Sequence, residues 1–450
     1  MKRKMTEYLA EWKKRANGTS ALMVQGARRV GKSYIVEEFA KSAYRSYILI
    51  DFNKVSKAVY DIFENDLDNL DMLFQKISTL YNKKLYPRES VIIFDEVQLY
   101  PRARSAVKYL VEDGRYDYIE TGSLISIREN VEGILIPSEE DVIDMYPMDF
   151  EEFLWAIGEE TMYDLITDCF QKQKPLGQAL HRKAMDLFRL YMIVGGMPQA
   201  VKAYVDTHDF YGVDAAKRRI LKLYREDIRK HAKGYAIKVE AIFDEIPSQL
   251  QNQNRHFKLS AIEKGARYDK YKDAMFWLSD AMIVNNCYNS TEPNIGLNLN
   301  RDRTLLKCYM SDTGLLISHC FDEKSIVSDG VYQKLLLGKL EIDLGMVMEN
   351  IVAQMFIASG HKLFFYSNSS REDAEARMEI DFLIAKSKIT NRHNISPIEV
   401  KSSKNYTLSS LKKFIRRYNQ QLYTPYVLHT SDLKVEDGIV YLPLYMTALL

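Results

Sequence analysis

Eight consecutive residues, Gly26-Ala27-Arg28-Arg29-Val30-Gly31-Lys32-Ser33, carry the spacing G-x-x-x-x-G-K-[ST]. Glycines at both ends let the backbone turn tightly, so that successive N–H groups point at one anion. The lysine supplies a point charge for the β- and γ-phosphates of a nucleotide, and the serine a hydroxyl ligand for magnesium. An apolar run, Ala21-Leu22-Met23-Val24, precedes the loop, and Ser33 to Ala40 continues it with helical spacing and no breaker. The pattern predicts a strand, a phosphate loop and a helix whose N-terminus attracts anions.

A nucleoside triphosphatase also needs a carboxylate at the end of a second strand, and Val91-Ile92-Ile93-Phe94-Asp95-Glu96 supplies one. Asp95 is placed to orient magnesium through its water ligands, and Glu96 to take a proton from the attacking water. A third strand, Tyr116 to Glu120, runs into Thr121-Gly122-Ser123. Its two hydroxyls suit sensing of the γ-phosphate, although the same triplet is also a good turn. Arg102, Arg104 and Arg128 are candidates for a charge-neutralising arginine. No Asn-Lys-x-Asp run is present, which favours ATP over GTP. The dinucleotide pattern G-x-G-x-x-G does not follow the first strand, which argues against a nicotinamide enzyme.

A second set of chemical residues lies near the C-terminus. Glu379-Ile380-Asp381-Phe382-Leu383-Ile384 and Pro397-Ile398-Glu399-Val400-Lys401 both read as strands. Residues two apart on a strand share a face, so Glu399 and Lys401 point the same way, and Asp381 is aimed at the same spot. Carboxylates so placed bind one or two magnesium ions, and a neighbouring lysine positions or activates water. Glu349, in the apolar helix GMVMENIVAQMFIA, adds a further acid. The expected metal ligands here are Glu349, Asp381 and Glu399, with Asp381, Glu399 and Lys401 catalytic. Ser410 to Tyr418 reads as an amphipathic helix whose Lys412, Lys413, Arg416 and Arg417 face solvent, where phosphates could bind. The order of helix-borne Glu, strand Asp, then Glu-x-Lys resembles the PD-(D/E)xK nuclease superfamily. The competing reading is a salt-bridged cluster without turnover, for which burying charges without a metal or partner is costly.

The elements that position these groups follow from pattern and composition. A chain of 450 residues, 46% hydrophobic and 27% charged, is an ordinary globular protein of two to four domains. Its net charge of +1 gives no global attraction to nucleic acid or acidic membranes, so any such binding needs a local patch. No apolar run approaches the roughly twenty residues of a membrane span. The Lys-Arg-Lys start leads into a helical pattern bearing Tyr8, Leu9 and Trp12 rather than an apolar signal core. Cys169, Cys287, Cys308 and Cys320 lack C-x-x-C spacing, and the eight histidines are scattered. Reduced thiols in a cytoplasmic protein without zinc are expected.

Residues 1–155 alternate short apolar runs with helical patterns, which predicts a parallel α/β sheet. Residues 156–300 are mostly helical and are broken at Gly195-Gly196-Met197-Pro198. Within them Phe257 to Asn289 fits a winged helix-turn-helix: a short helix from Ser260, a longer one from Tyr268 to Asp280, then a hairpin. Lys264, Arg267, Lys270 and Lys272 would face DNA phosphates, with Asp269 and Asp273 interleaved. Residues 301–450 are expected to form an α/β domain like the PD-(D/E)xK fold.

The phosphate loop, V-I-I-F-D-E, T-G-S and the exit Tyr146-Pro147-Met148-Asp149-Phe150-Glu151-Glu152-Phe153 together resemble a prokaryotic AAA-type ATPase family. Its members carry a C-terminal domain of unknown function related to those nucleases. Gly195-Gly196-Met197-Pro198, Tyr309 to Leu316, Glu379 to Ile384 and Ile398 to Ser402 extend the match over nearly the whole chain. The resemblance implies ATP and Mg2+ bound through Gly26 to Ser33, Asp95 and Glu96, with Thr121 and Ser123 sensing the γ-phosphate. Where such families often carry Leu-Ala-Gly-Arg, this chain reads Glu132 to Glu139 without the arginine, which argues against a typical ring. Three functions remain open at this point. One is an ATP-driven switch coupled to DNA or RNA processing. Another is a regulatory ATPase whose C-terminal domain only binds nucleic acid or a protein partner. The third is phosphoryl transfer to a small substrate.

Overall fold

The computed structural model describes every residue except 124–137, 253–254, 295, 323–329, 331, 333, 335–343, 371, 386–393 and 404. Two compact units are present: residues 1–146 with 280–282, and residues 147–279 with 283–450.

The first unit opens with α1 (Met5–Ala16), which buries Met5, Leu9, Trp12 and Ala16, spaced three or four apart on one stripe. Strands β1 (Ala21–Gly26), β2 (Ser46–Asp51), β3 (Ser90–Asp95), β4 (Asp117–Gly122) and β5 (Glu140–Met145) form one sheet in the order β2-β3-β4-β1-β5. Every pairing in it is parallel, so the connections from β1 to β2, β2 to β3 and β3 to β4 must cross back over a face. Helices α2 (Lys32–Ala43), α3 (Lys57–Asn65), α4 (Leu70–Leu80) and α5 (Pro101–Asp113) lie on those crossovers. β3 and β4 are buried at every residue, as strands covered on both faces must be. Ile48, Ile50, Phe52, Phe63, Phe94 and Tyr118 share one core cluster. The strand order sets the function: β4 lies between β1 and β3, so its C-terminal end emerges between the phosphate loop and the two acids.

The second unit begins with helices α6 (Phe150–Ala156), α7 (Glu160–Gln171), α8 (Gln178–Val194), α9 (Pro198–Thr207), α10 (Phe210–His231) and α11 (Ala236–Gln251). The Asp149-Phe150-Glu151-Glu152 run closes a capping box: Asp149 accepts from the Glu152 N–H and the Glu152 carboxylate from the Asp149 N–H. After α12 (Tyr268–Asp280) the chain builds an eight-stranded mixed sheet, ordered β12-β13-β11-β10-β9-β8-β6-β7. Its strands are β6 (Val284–Ser290), β7 (Arg301–Met310), β8 (Phe364–Asn368), β9 (Met378–Ala385), β10 (Ile395–Val400), β11 (Tyr426–His429), β12 (Lys434–Glu436) and β13 (Ile439–Pro443). Helices α13 (Thr313–Cys320), α14 (Leu344–Ala358) and α15 (Ser409–Tyr418) complete the unit.

This sheet runs across residue 300, where a domain boundary was expected. The reason is β6, which pairs antiparallel with β7 and parallel with β8, and so joins the C-terminal strands. The same pairing changes the winged-helix expectation. The helix expected from Ser260 is a three-residue 3-10 turn, Leu259–Ala261, and the hairpin after α12 is the margin of the large sheet. Lys264, Arg267, Lys270 and Lys272 are nonetheless exposed.

The motifs that interrupt the helical region meet inside this unit. The Gly196 N–H donates to Asp312 Oδ2 at 2.6 Å, and the Leu315 N–H to Asp312 Oδ1 at 2.8 Å. The Met148 N–H donates to the Gly196 carbonyl at 2.7 Å, and Tyr191 Oη to the Met148 carbonyl at 2.8 Å. A Cβ on Gly196 would overlap Met148, and one on Gly314 would overlap Gly195, so close backbone approach requires glycine at both. Y-P-M-D-F, G-G-M-P and S-D-T-G-L-L are therefore three parts of one buried joint. Among the described residues no helix is long and apolar enough to cross a membrane.

Candidate functional site

The phosphate loop takes the shape its glycines predict. Gly31 caps α2 with φ 99°, and Arg29 also has a positive φ of 73°. Ala27 and Val30 are buried and anchor the loop, while Arg28 and Arg29 are exposed. A contact that sequence reasoning missed holds the loop from outside. Arg3, buried, donates from one guanidinium nitrogen to the Val30 carbonyl at 3.0 Å and from the other to Tyr146 at 2.8 Å. The Lys-Arg-Lys start gave no signal for this, because the partners lie 27 and 143 residues away.

Lys32 is buried and donates to the carbonyls of Gly26 at 2.9 Å and Ala27 at 3.1 Å. Burial holds its ammonium below the usual lysine pKa, with Glu96 and Asp95 pulling the other way. Ser33 Oγ donates to Asp95 Oδ1 at 2.7 Å, and Thr121 Oγ1 donates to the same oxygen. Burial raises the Asp95 carboxyl, and these two hydroxyls oppose that rise. The Glu96 N–H reaches back to Thr121 Oγ1 at 3.3 Å, and Glu96 itself is left-handed at φ 55°. Gln98 donates to its carboxylate. Lys32, Ser33, Asp95, Glu96 and Thr121, predicted from three separate segments, are thus brought together at the C-terminal edge of one sheet. Ser123 lies just beyond the strand, half-buried. A hydroxyl and a carboxylate oxygen converging at the loop are the donor set magnesium takes beside a triphosphate, and the residues fit it.

The arginine candidates fall elsewhere. Arg102 is engaged by Glu64 at 2.8 Å. Arg104 is buried against Glu140 at 2.8 Å and Glu120 at 3.7 Å, which keeps it from reaching a phosphate. Arg128 and residues 132–137 lie outside the described residues.

In the C-terminal cluster, Asp381 on β9, Glu399 on β10, Lys401 just after it and Glu349 on α14 belong to one charged group. The Val400 N–H donates to Asp381 Oδ2 at 2.8 Å, and Lys401 pairs with Glu399. Burial and then Asp381 push the Glu399 carboxyl up to about 7, against Lys401. The surroundings depart from the expected metal site. Lys307, from β7 and only 1% exposed, sends its Nζ to 2.9 Å from Glu379, 3.7 Å from Glu349 and 4.0 Å from Asp381. Arg255 lies 2.7 Å from Glu349, and Tyr309 Oη donates to the same carboxylate at 3.0 Å. His256 Nε2 sits 3.2 Å from Glu379. Among the described residues no group of three or more His, Cys, Asp or Glu side chains is arranged to hold a metal ion. The expected ligand set Glu349, Asp381 and Glu399 is instead interleaved with cations of the chain itself. Neither Lys307 nor Arg255 carried a motif, since each reaches the acids only through long-range pairing.

Comparison with known proteins divides the chain in three. Residues 18–154 match the family model described as AAA domain. Residues 185–324 match a domain of unknown function (DUF8612), and residues 344–447 another (DUF4143). No curated protein matches. Among solved structures, a Walker-type ATPase of Pyrococcus abyssi aligns at 14% identity and a TM-score of 0.40, covering 71% of this chain and 95% of that one. Cdc6p of Pyrobaculum aerophilum aligns at 10% identity and 0.25, covering 75% and 94%, and Drosophila ORC bound to DNA at 13% and 0.27, covering 70% and 94%. At such scores the assignment rests on the AAA match and on the parallel sheet with its phosphate loop. Residues 18–154 form a P-loop domain of the AAA ATPase type.

Proposed function

We propose that this chain is an ATP-hydrolysing switch whose output is its C-terminal domain. The observation that carries the reading is Asp95 Oδ1, which receives the hydroxyls of both Ser33 and Thr121. The phosphate loop, the acid strand and the intervening strand thereby converge on one oxygen. Lys32 and the loop N–H groups would bind the β- and γ-phosphates. Glu96, adjacent to Asp95, would accept the proton of the attacking water. Ser33 and Asp95 would hold magnesium, which when bound neutralises phosphate charge. Thr121 would tie Asp95 and the Glu96 backbone together, and Thr121 with Ser123 would report the γ-phosphate. The test is ATP turnover by wild type, Lys32→Ala and Glu96→Gln. Binding retained with turnover lost in Glu96→Gln supports the roles; undiminished turnover in Glu96→Gln removes Glu96 as the base.

For the output, binding to DNA or RNA is favoured over cleavage. Exposed Lys412, Arg416 and Arg417 on α15 offer a basic face to phosphates, while a lysine sits among the acids that cleavage would need for metal. Salt-dependent binding of labelled single- and double-stranded DNA and RNA, scored together with strand scission, tests this. Scission abolished by Asp381→Ala would restore the nuclease reading. A protein partner is the alternative if no nucleic acid binds.

A further inference from the structure

We infer that the Lys307 ammonium takes the position a divalent cation would hold among Glu349, Glu379 and Asp381, so that the C-terminal cluster is built to work without metal. The geometry comes first. Lys307 Nζ is within 4.0 Å of all three carboxylates, which come from α14 and β9. The edge strand β7, separated from β9 by β8 and β6 in the sheet order, delivers the lysine. Burial alone would lower the pKa of this lysine, yet the three carboxylates outweigh that and hold it above the usual lysine value.

Charge balance points the same way. Four carboxylates (Glu349, Glu379, Asp381 and Glu399) are paired with Lys307, Lys401 and Arg255, and His256 lies beside Glu379. The Glu379 carboxyl is held down to about 2: burial opposes that value, and Lys307 and His256 overcome it. With three cations interleaved among four carboxylates, little negative charge is left for a divalent ion to compensate. Such an ion would also meet the Lys307 ammonium at close range. The inference refines the binding reading of the C-terminal domain but is read by metal uptake. Its failure is therefore distinct from any failure of ATP turnover or nucleic-acid binding.

The experiment is Mn2+ titration of the full-length, nucleotide-free chain by calorimetry, comparing wild type, Asp381→Asn, Lys307→Ala and Lys307→Ala/Asp381→Asn. Wild type and Asp381→Asn should take up Mn2+ equally weakly. Lys307→Ala should gain a site tighter by roughly tenfold or more, since a like charge has been removed from beside the ion. The double variant should lose that gain. Wild-type uptake that Asp381→Asn abolishes would overturn the inference, and so would a folded Lys307→Ala with no gain. If Lys307→Ala does not fold, Lys307→Gln repeats the comparison with a polar side chain of similar length. The wild-type and Asp381→Asn titrations decide regardless, because they need no change at Lys307.

Discussion

Gly26 and Met145 are register partners on the parallel pair β1 and β5, and they approach so closely that a Cβ on Gly26 would overlap the Met145 carbonyl oxygen. The first glycine of the phosphate loop is thus required by the neighbouring strand itself. Directly after this strand comes Tyr146, whose carbonyl Arg3 holds, so loop and exit segment share one brace.

Gly26→Ala should therefore damage the domain before any nucleotide is added. Overpacking against a backbone carbonyl costs about 1–3 kcal/mol. Thermal unfolding should show that loss in the nucleotide-free protein, and ATP affinity should fall with it. An alanine variant as stable as wild type would mean that β5 can move away from the loop.

Thr121 and Lys32 should separate in kinetics. Lys32→Ala removes the point charge for the phosphates and should weaken ATP binding strongly. Thr121→Ala leaves the loop intact but removes the hydroxyl shared by Asp95 and the Glu96 N–H. Its expected signature is a kcat lowered by about 10- to 100-fold with a much smaller change in KM, as positioning residues show. Thr121→Ser should recover most of the rate, because it restores the hydroxyl. An equal rise in KM for Thr121→Ala would make it a ground-state binding residue instead.

The candidate nucleotide site was legible as an arrangement because its signals are local. A loop needs two glycines at fixed spacing, and a buried strand ending in Asp95-Glu96 announces itself by its apolar run. The structural joint was legible only in part: G-G-M-P read as a break, but nothing in it named Asp312 as the acceptor for Gly196. The C-terminal cluster was half legible. Period-two spacing put Glu399 and Lys401 on one face, and the two pair as that spacing requires. Lys307 was invisible because sheet order, which local patterns do not encode, decides where its strand lies, and Arg255 because it reaches Glu349 from a loop distant in sequence. That one sheet crosses residue 300 was hidden for the same reason, since β6 read as the hairpin of a helical module. Arg104 shows the converse, a conspicuous cation whose role is set by two acids reaching it from other strands.

Those two acids give a pH dependence. Glu120 is fully buried, and among the described residues neither of its oxygens has a hydrogen-bond donor; Glu140 stands beside it and Arg104 bonds Glu140 more closely. Burial and then the Glu140 carboxyl raise the Glu120 pKa well above the usual value, against Arg104. One proton shared by the pair satisfies both groups. The folded state thus holds a proton that the unfolded chain releases near pH 4.5, so stability falls as pH rises above that value. Glu120→Gln mimics the protonated form. It should be near neutral at pH 5 and stabilising by about 1–2 kcal/mol at pH 8. Urea melts at both pH values check this; a variant equally destabilised at both would show that Glu120 is ionised in the folded domain.

The buried joint of the second unit yields the largest expected loss. Asp312 accepts from the Gly196 and Leu315 N–H groups, and its charge supports Lys217, a fully buried lysine that donates to the Ile193 carbonyl at 2.9 Å. Burial pulls Lys217 down to about 8, with Asp214 and then Asp312 resisting. Removing the Asp312 carboxylate leaves two N–H groups without their acceptor and a buried ammonium with one fewer countercharge. Asp312→Ala should cost about 3–5 kcal/mol, and Asp312→Asn, which keeps an acceptor oxygen, clearly less. Gly196→Ala should fail separately, by steric overlap with Met148 rather than by charge. Because these residues lie in the second unit, the loss should appear in the unfolding transition of that unit, with nucleotide affinity retained. If Asp312→Ala unfolded within about 1 kcal/mol of wild type, the joint would be a tolerant contact, and the coincidence of the three motifs there would need another cause.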